Sequence, residues 1–300
     1  MRRFRIGWCG PEEELAQHLQ VLERHPQLEL CACCCAPASP PPASPPHAPS
    51  VDALLGEPGL AGLVVCVPLV ERARWCGLAV QRGHKVLCPP PLGDRWAQAR
   101  RALPCQAAAA VAVASPACYS AVGEALRRVP EELGRVVYFE LEVTLARQHL
   151  AARREGVLLR AGQDYLALVE AGCGPVDLVW AQSRSLLRNR PTEDLCVAYL
   201  KCQDGCEGLV RLHGLGALGQ AQLDLFGVHG CRTVVSALDE ASAREAWHRA
   251  YQDFAGFLAG QGPPRWSGVQ AAGGLRLMQW LQQSARLGRE VRRPEVVDEP

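Results

Sequence analysis

The feature that most constrains the fold is a strand–helix–strand unit ending in a triple proline. Residues 63–67, Leu-Val-Val-Cys-Val, form an apolar run closed by Pro68, and residues 86–88, Val-Leu-Cys, form a second run closed by Pro89, Pro90 and Pro91. Each has the length of a buried strand, and prolines cannot donate to a strand ladder, so both strands must stop there. Residues 71–82 between them carry a helical pattern. Two apolar strands joined by a helix pair in parallel through a right-handed crossover.

Neighbouring segments extend this unit. Residues 4–9 and 28–35 read as strands, separated by a helix over 12–24 whose apolar stripe is Leu15, Leu19 and Leu22. Residues 51–55 make a short helix, 94–103 a longer one, and the apolar run 107–114 fits a further parallel strand. Ser115-Pro116 breaks the pattern and marks a domain boundary. Beyond it lie a helix over 120–128 and a strand beginning within 134–143. Four more strands follow over 177–184, 194–203, 207–214 and 220–228, then helices over 240–258 and 273–287. The fold class is therefore α/β, a Rossmann-like parallel-sheet domain over 1–115. It is followed over 116–291 by an α+β domain with an open, mainly antiparallel sheet. The last helix is expected to pack back on the first domain, and the charged tail 292–300 to be disordered.

The chemistry expected of a parallel-sheet domain is thin at its usual place. A dinucleotide turn is Gly-x-Gly-x-x-Gly, in which the second glycine lets backbone touch the pyrophosphate. Here only Gly10 is present, and the other two positions hold Glu12 and Leu15. A carboxylate on the ribose would stand at the end of the second strand, where Cys34 and Cys35 are found instead. From these residues no cofactor is expected. Residues 36–50 hold seven prolines in fifteen residues, which excludes a helix. They read as a solvated polyproline-like loop, either standing in for a lost helix or offered to a proline-recognising module.

Composition narrows the class further. With 32 basic against 31 acidic residues and no basic run, no nucleic-acid or anionic-membrane surface is expected. No apolar run nears the roughly 20 residues of a membrane span, and the first residues lack the apolar core of a signal peptide. The expected location is the cytoplasm. The fifteen cysteines mostly sit in apolar runs, as small buried hydrophobes do. Cys31, Cys33, Cys34 and Cys35 form the densest group; a metal reading stays open beside that of reduced structural thiols, but paired zinc spacings are absent. Cys202 and Cys206 flank an Asp-Gly turn. No histidine pair has His-x-x-x-His spacing, and no serine sits in a Gly-x-Ser-x-Gly elbow.

Several stretches together resemble the glucose-fructose oxidoreductase/inositol dehydrogenase (Gfo/Idh/MocA) family. They are Val67-Pro68, the run from Gly83 through Cys88 to Pro91, Leu133-Gly134-Arg135-Val136, the helix from Gly156 to Val169, Glu193-Asp194, and Ser284-Ala285 through Gly288-Arg289 to Val291. The resemblance spans about residues 4–294 and implies this two-domain fold with NAD(P)-dependent oxidoreductase chemistry. It also implies a catalytic lysine where this chain has Pro90, and a substrate-lining aspartate and histidine where it has Arg160 and Asp164. A histidine at a helix start would fall near Arg72. Arg160 and Asp164, four apart, would share a helical face and form a weak pair. Packing positions survive while each chemical group is replaced. The expected function is therefore an oxidoreductase-like pseudoenzyme serving as a binding or scaffold subunit, with no catalytic residue and no metal. The alternative is an NAD(P)-dependent reductase whose substrate needs no protein acid. In the second domain, Leu195, Val197 and Tyr199 should face one side of the sheet and Cys196, Ala198 and Leu200 the other. Both faces read as apolar, so a homodimer or a protein partner is expected on that sheet.

Overall fold

In a computed structural model the described residues are 3–34, 46–148, 155–187 and 192–293. The chain divides into two compact units. The first comprises Met1–Asp94, Gln98–Ser115 and Trp247–Val269, and the second Arg95–Ala97, Pro116–Ala246 and Gln270–Pro300. The segment that returns to the first unit is thus Trp247–Val269, while the final helix from Gln270 onward belongs to the second. Cys35, most of the proline-rich run and the tail from residue 294 lie outside the described residues.

The first unit is a five-stranded sheet in the order β2-β1-β3-β4-β5, with every pairing parallel. Its strands are β1 (Phe4–Cys9), β2 (Leu28–Cys34), β3 (Leu60–Val65), β4 (Lys85–Cys88) and β5 (Val111–Val113). The helices are α1 (Glu12–Leu22), α2 (Val51–Leu55), α3 (Leu69–Gln81), α4 (Trp96–Ala102) and α5 (Cys105–Ala108). Leu63, Val64, Val65, Val86, Leu87 and Cys88 have no exposure, as strands covered on both faces require. Chain order reverses between β1 and β3, and in such sheets ligands bind at the carboxyl ends beside that reversal.

Two expectations change here. The run 107–114 is not one strand: α5, behind Pro104, takes Ala107 and Ala108, and only Val111–Val113 joins the sheet. Alanines 107–110 have the highest helix propensity of any residue, so a run without β-branching coils before the valines extend. The end of the proline-rich run is not wholly solvated either. Cys33 N–H donates to the Pro46 carbonyl at 2.9 Å and Ala48 N–H to that of Cys33 at 2.7 Å, which lays residues 46–48 along the β2 edge.

The second unit is a seven-stranded sheet in the order β11-β10-β6-β9-β8-β7-β12. Its strands are β6 (Val136–Ala146), β7 (Val176–Arg184), β8 (Leu195–Cys202), β9 (Glu207–Gly216), β10 (Gln220–Gly227), β11 (Gly230–Ala237) and β12 (Val291–Arg292). Only β6 and β9 pair in parallel. Its helices are α6 (Ala121–Glu132), α7 (Gln163–Cys173) and α9 (Gly268–Leu287); α8 (Glu240–Leu258) runs from this unit into the first. Phe139, Leu141, Val143, Val210, Leu212, Cys196, Ala198 and Leu200 line the buried face. The opposite face keeps Leu195, Val197 and Tyr199 half-exposed, as the alternation predicts, but it also carries Glu140, Glu142, Arg211, His213 and Asp224. The reading of two apolar faces is therefore corrected to one apolar and one mixed. Strands β11 and β12 escaped the sequence reading. The first half of β11 is exposed on both sides and has no alternation; pairing with β10 along its whole length holds it.

Candidate functional site

At the carboxyl end of β1 the chain turns through Gly10 and Pro11 into α1. A Cβ on Gly10 would stand 2.9 Å from Cys66 Cβ and 3.0 Å from its carbonyl carbon and oxygen. The glycine is required by close approach to the segment after β3. Gly10 N–H donates to the Cys34 carbonyl at 3.2 Å, and Cys66 N–H to that of Cys9 at 2.7 Å. No side chain caps the first turn of α1, so its backbone N–H groups stay available, but Glu12, Glu13 and Glu14 crowd it. Carboxylates there stabilise the helix dipole and disfavour an approaching anion. Leu15 is core, at 2% exposure. Of the positions at the end of β2, Cys34 is half-buried and Cys35 lies outside the described residues.

The proline turn after β4 is held by Arg72. Its Nε donates to the Val67 carbonyl at 2.9 Å, and its Nη1 to the carbonyls of Pro90, Pro91 and Pro89 at 3.1, 3.2 and 3.4 Å. Prolines lack an N–H but keep their acceptors, so three successive carbonyls need an outside donor. The guanidinium supplies it from the first turn of α3. The Pro90–Pro91 peptide is cis. The position that the resemblance gives to a lysine is thus tied by main-chain carbonyls to the helix-start arginine.

In the second unit, Arg160 lies in a π-helical turn, Leu158–Gly162, that leads into α7, and Asp164 lies in the first turn of α7. The wider turn interrupts the regular helix assumed for the pair. Arg160 reaches Glu155 at 3.9 Å, and Asp164 accepts from Gln163 Nε2 at 2.7 Å. Beside them Gln163 Oε1 and the Tyr165 hydroxyl are buried with no hydrogen-bond partner among the described residues. Burial pushes the Tyr165 phenol far up. Glu193 and Asp194 act as brackets: Leu158 N–H donates to Glu193 Oε1 at 3.1 Å, while Leu186 and Leu187 N–H groups donate to the Asp194 carboxylate at 2.8 and 2.6 Å.

The mixed sheet face holds a depression of about 230 Å³ lined by Glu142, Thr144, His213, Leu218, Gln220 and Gln222. His213 Nε2 lies 3.1 Å from Glu142 Oε1 and 3.2 Å from Thr144 Oγ1, and Arg211 holds the other Glu142 oxygen at 2.8 Å. The sequence reading missed this network and the role of Arg72. The signal for the first was period-two alternation of charge along β6 and β9; nothing local marks the second. No three metal-type ligands converge among the described residues. Cys31, Cys33 and Cys34 lie along β2, with Cys33 in the core and the other two half-exposed.

No family model and no curated protein matches the chain. Solved structures do. The WlbA dehydrogenase from Bordetella pertussis, in complex with NADH and UDP-GlcNAcA, is similar with a TM-score of 0.78 at 20% identity, over 97% of this chain and 99% of that one. A putative myo-inositol dehydrogenase from Sinorhizobium meliloti reaches 0.81 at 14% identity over 96% and 99%. GenD2 from gentamicin A biosynthesis, in complex with NAD, reaches 0.77 at 17% identity over 97% of each chain. The chain has the fold of the Gfo/Idh/MocA-type dehydrogenases. The expectation that no cofactor belongs to this chain is thereby corrected. Two structures that share the fold over nearly its whole length hold NADH or NAD. The turn at Gly10 and the open N–H groups of α1 fit a pyrophosphate, although Glu12 raises the cost of its charge.

Proposed function

We propose that this chain is an oxidoreductase-like protein that holds a nicotinamide dinucleotide in its parallel-sheet unit but has lost catalysis, and serves as a binding or scaffold subunit. The observation that carries the reading is the Arg72-bound proline turn: the lysine position is Pro90, and its carbonyl is engaged in structure. A bound nicotinamide would supply the capacity for hydride transfer. Gly10 and the first turn of α1 would face its pyrophosphate. Neither Pro90 nor Arg160 can hand a proton to a substrate at neutral pH, and Asp164 is engaged by Gln163.

The reading extends to assembly and location. Tyr199, Val197 and Leu209 on the mixed sheet face favour a second copy or a protein partner there, with Glu142 and Arg211 setting register. Leu200 is core and has no part in such a face. The fourteen described cysteines form no disulfide, which favours a reducing cytoplasm.

Titration with NADH and NADPH by calorimetry, run beside a cofactor-consumption assay on sugar and inositol substrates, tests the proposal. Saturation at 100 times the dissociation constant should stabilise the fold by about 2.7 kcal/mol, with no cofactor consumed. Sustained multiple turnover would replace it with the reductase reading, in which the substrate needs no protein acid.

A further inference from the structure

Three thiols of the second unit meet at one end of the sheet. Cys202 ends β8 and Cys206 precedes β9, and the hairpin between them is closed by Cys202 N–H donating to the Cys206 carbonyl at 2.7 Å. Gly205 N–H returns to the Cys202 carbonyl at 3.1 Å, and Gly205 takes a φ of 81°, a left-handed conformation suited to glycine. Residues facing each other across antiparallel strands have Cα atoms about 4.5–5.5 Å apart, inside the range a disulfide spans. Cys173, the last residue of α7, hydrogen-bonds to Cys206. All three are buried, at 7%, 2% and 1% exposure for Cys173, Cys202 and Cys206.

The sulfur atoms are not equivalent. Cys173 and Cys202 both hydrogen-bond to Cys206, and the Arg135 guanidinium adds positive potential, so Cys206 is held well below the usual thiol range. The same hydrogen bonds, with burial, push Cys173 and Cys202 up. Cys206 thus lies between two buried thiols, either of which can resolve it once it is oxidised. Gln203, Asp204 and Gly205 at the hairpin tip are exposed, so opening of these three residues admits a small oxidant. A parallel arrangement in the first unit, Cys76 hydrogen-bonded to Cys88, has no such tip, because Cys88 ends an interior strand.

We propose that Cys206 is an oxidation site for hydroperoxides, resolved to a disulfide by Cys202 or Cys173. The Cys206 thiolate attacks a peroxide oxygen; the S–O bond forms, the O–O bond breaks, and the departing hydroxide takes a proton to become water. The neighbouring thiol then attacks the sulfenic sulfur, losing its proton as the S–S bond forms and the S–O bond breaks to release a second water. Two thiols lose two electrons and one hydrogen peroxide becomes two waters. The product fixes the hairpin tip.

The test is a thiol map of the full, reduced wild-type chain after brief treatment with hydrogen peroxide, alkylation and digestion. The dominant new linkage should join Cys206 to Cys202 or Cys173, with the exposed Cys105 and Cys231 recovered alkylated. In a Cys202→Ser chain, dimedone should label Cys206, or Cys206 should be joined to Cys173. Recovery of Cys206 fully alkylated from peroxide-treated wild type overturns the proposal, with no variant needed. So does a Cys202→Ser chain in which Cys206 carries neither a dimedone adduct nor a bond to Cys173.

Discussion

The proline turn after β4 and the entry to α7, the two places to which the resemblance assigns a lysine and substrate-lining groups, differ in how their polar atoms are met. In the first, an arginine closes on the main-chain carbonyls of Val67, Pro89, Pro90 and Pro91. In the second, Arg160 and Asp164 make local polar contacts, and two buried polar atoms, Gln163 Oε1 and the Tyr165 hydroxyl, are left without a partner among the described residues. The first is closed by hydrogen bonds to its main-chain carbonyls. The other keeps unmet hydrogen-bonding capacity, which a folded chain retains at a cost.

The largest effect that separates the two regions comes from their arginines. Hydrogen bonds to a charged group contribute about 1.5–3 kcal/mol each and are not additive, so Arg72→Ala should cost about 3 kcal/mol by chemical denaturation. Arg160→Ala, with its ion pair at 3.9 Å and side chains 25% and 38% exposed, should stay within about 0.5 kcal/mol. Equal losses would end the distinction.

A second effect, of similar size but spread over pH, belongs to the first unit alone. His18 is buried against Trp8 and Trp247, at 4.7 and 4.2 Å between ring centroids, and shares a 2.9 Å hydrogen bond with Tyr251. Burial pulls its pKa down to about 4 from 6.5. The unfolded chain therefore binds the proton first. Stability is full above pH 6.5 and is lost as pH falls to about 4, by on the order of 3 kcal/mol. His18→Phe should flatten that slope, whereas an unchanged slope would place the acid sensitivity elsewhere.

Next in size is the turn at the start of α1. Gly10→Ala places a methyl 3.0 Å from the Cys66 backbone, which cannot give way as a side chain can, and should cost about 2 kcal/mol. In the second unit, Gly162→Ala meets only the tip of Leu212 at 2.7 Å and should cost less. If Gly10→Ala also weakens NADH binding while Gly162→Ala does not, the dinucleotide reading gains support.

How much of this was legible follows from the range of each signal. Strands β1, β3 and β4 were readable because the buried part of a doubly covered strand is a continuous apolar run, as in Val86–Cys88, and prolines mark where it stops. The division of 107–114 was not, because alanine suits a helix and a strand core alike and only tertiary pairing selects Val111–Val113. Strand β11 hides for the opposite reason: its outer half touches water on both sides. At the candidate site, the residues standing at the positions that the resemblance marks (Glu12, Leu15, Pro90, Arg160, Asp164) could be read off the sequence. Their spatial partners could not, since Arg72 lies 18 residues from Pro90 and the thiol trio joins residue 173 to 202 and 206.

The smallest effect is the most informative about the second region. The Tyr165 hydroxyl is buried, at 2% exposure for the residue, and its ring packs in the core. An unpaired buried hydroxyl costs roughly 1–3 kcal/mol of desolvation, while the ring contributes through area that phenylalanine keeps. Tyr165→Phe should therefore leave stability unchanged or raise it by about 1 kcal/mol, measured as a shift in denaturant midpoint at constant slope. That outcome says the hydroxyl has no partner inside the chain, which leaves it available to a group from outside at the entry to α7. A loss of about 1 kcal/mol says instead that the hydroxyl has an internal partner, such as a bound water. The entry to α7 would then be as fully hydrogen-bonded as the proline turn, and the contrast between the two regions would vanish.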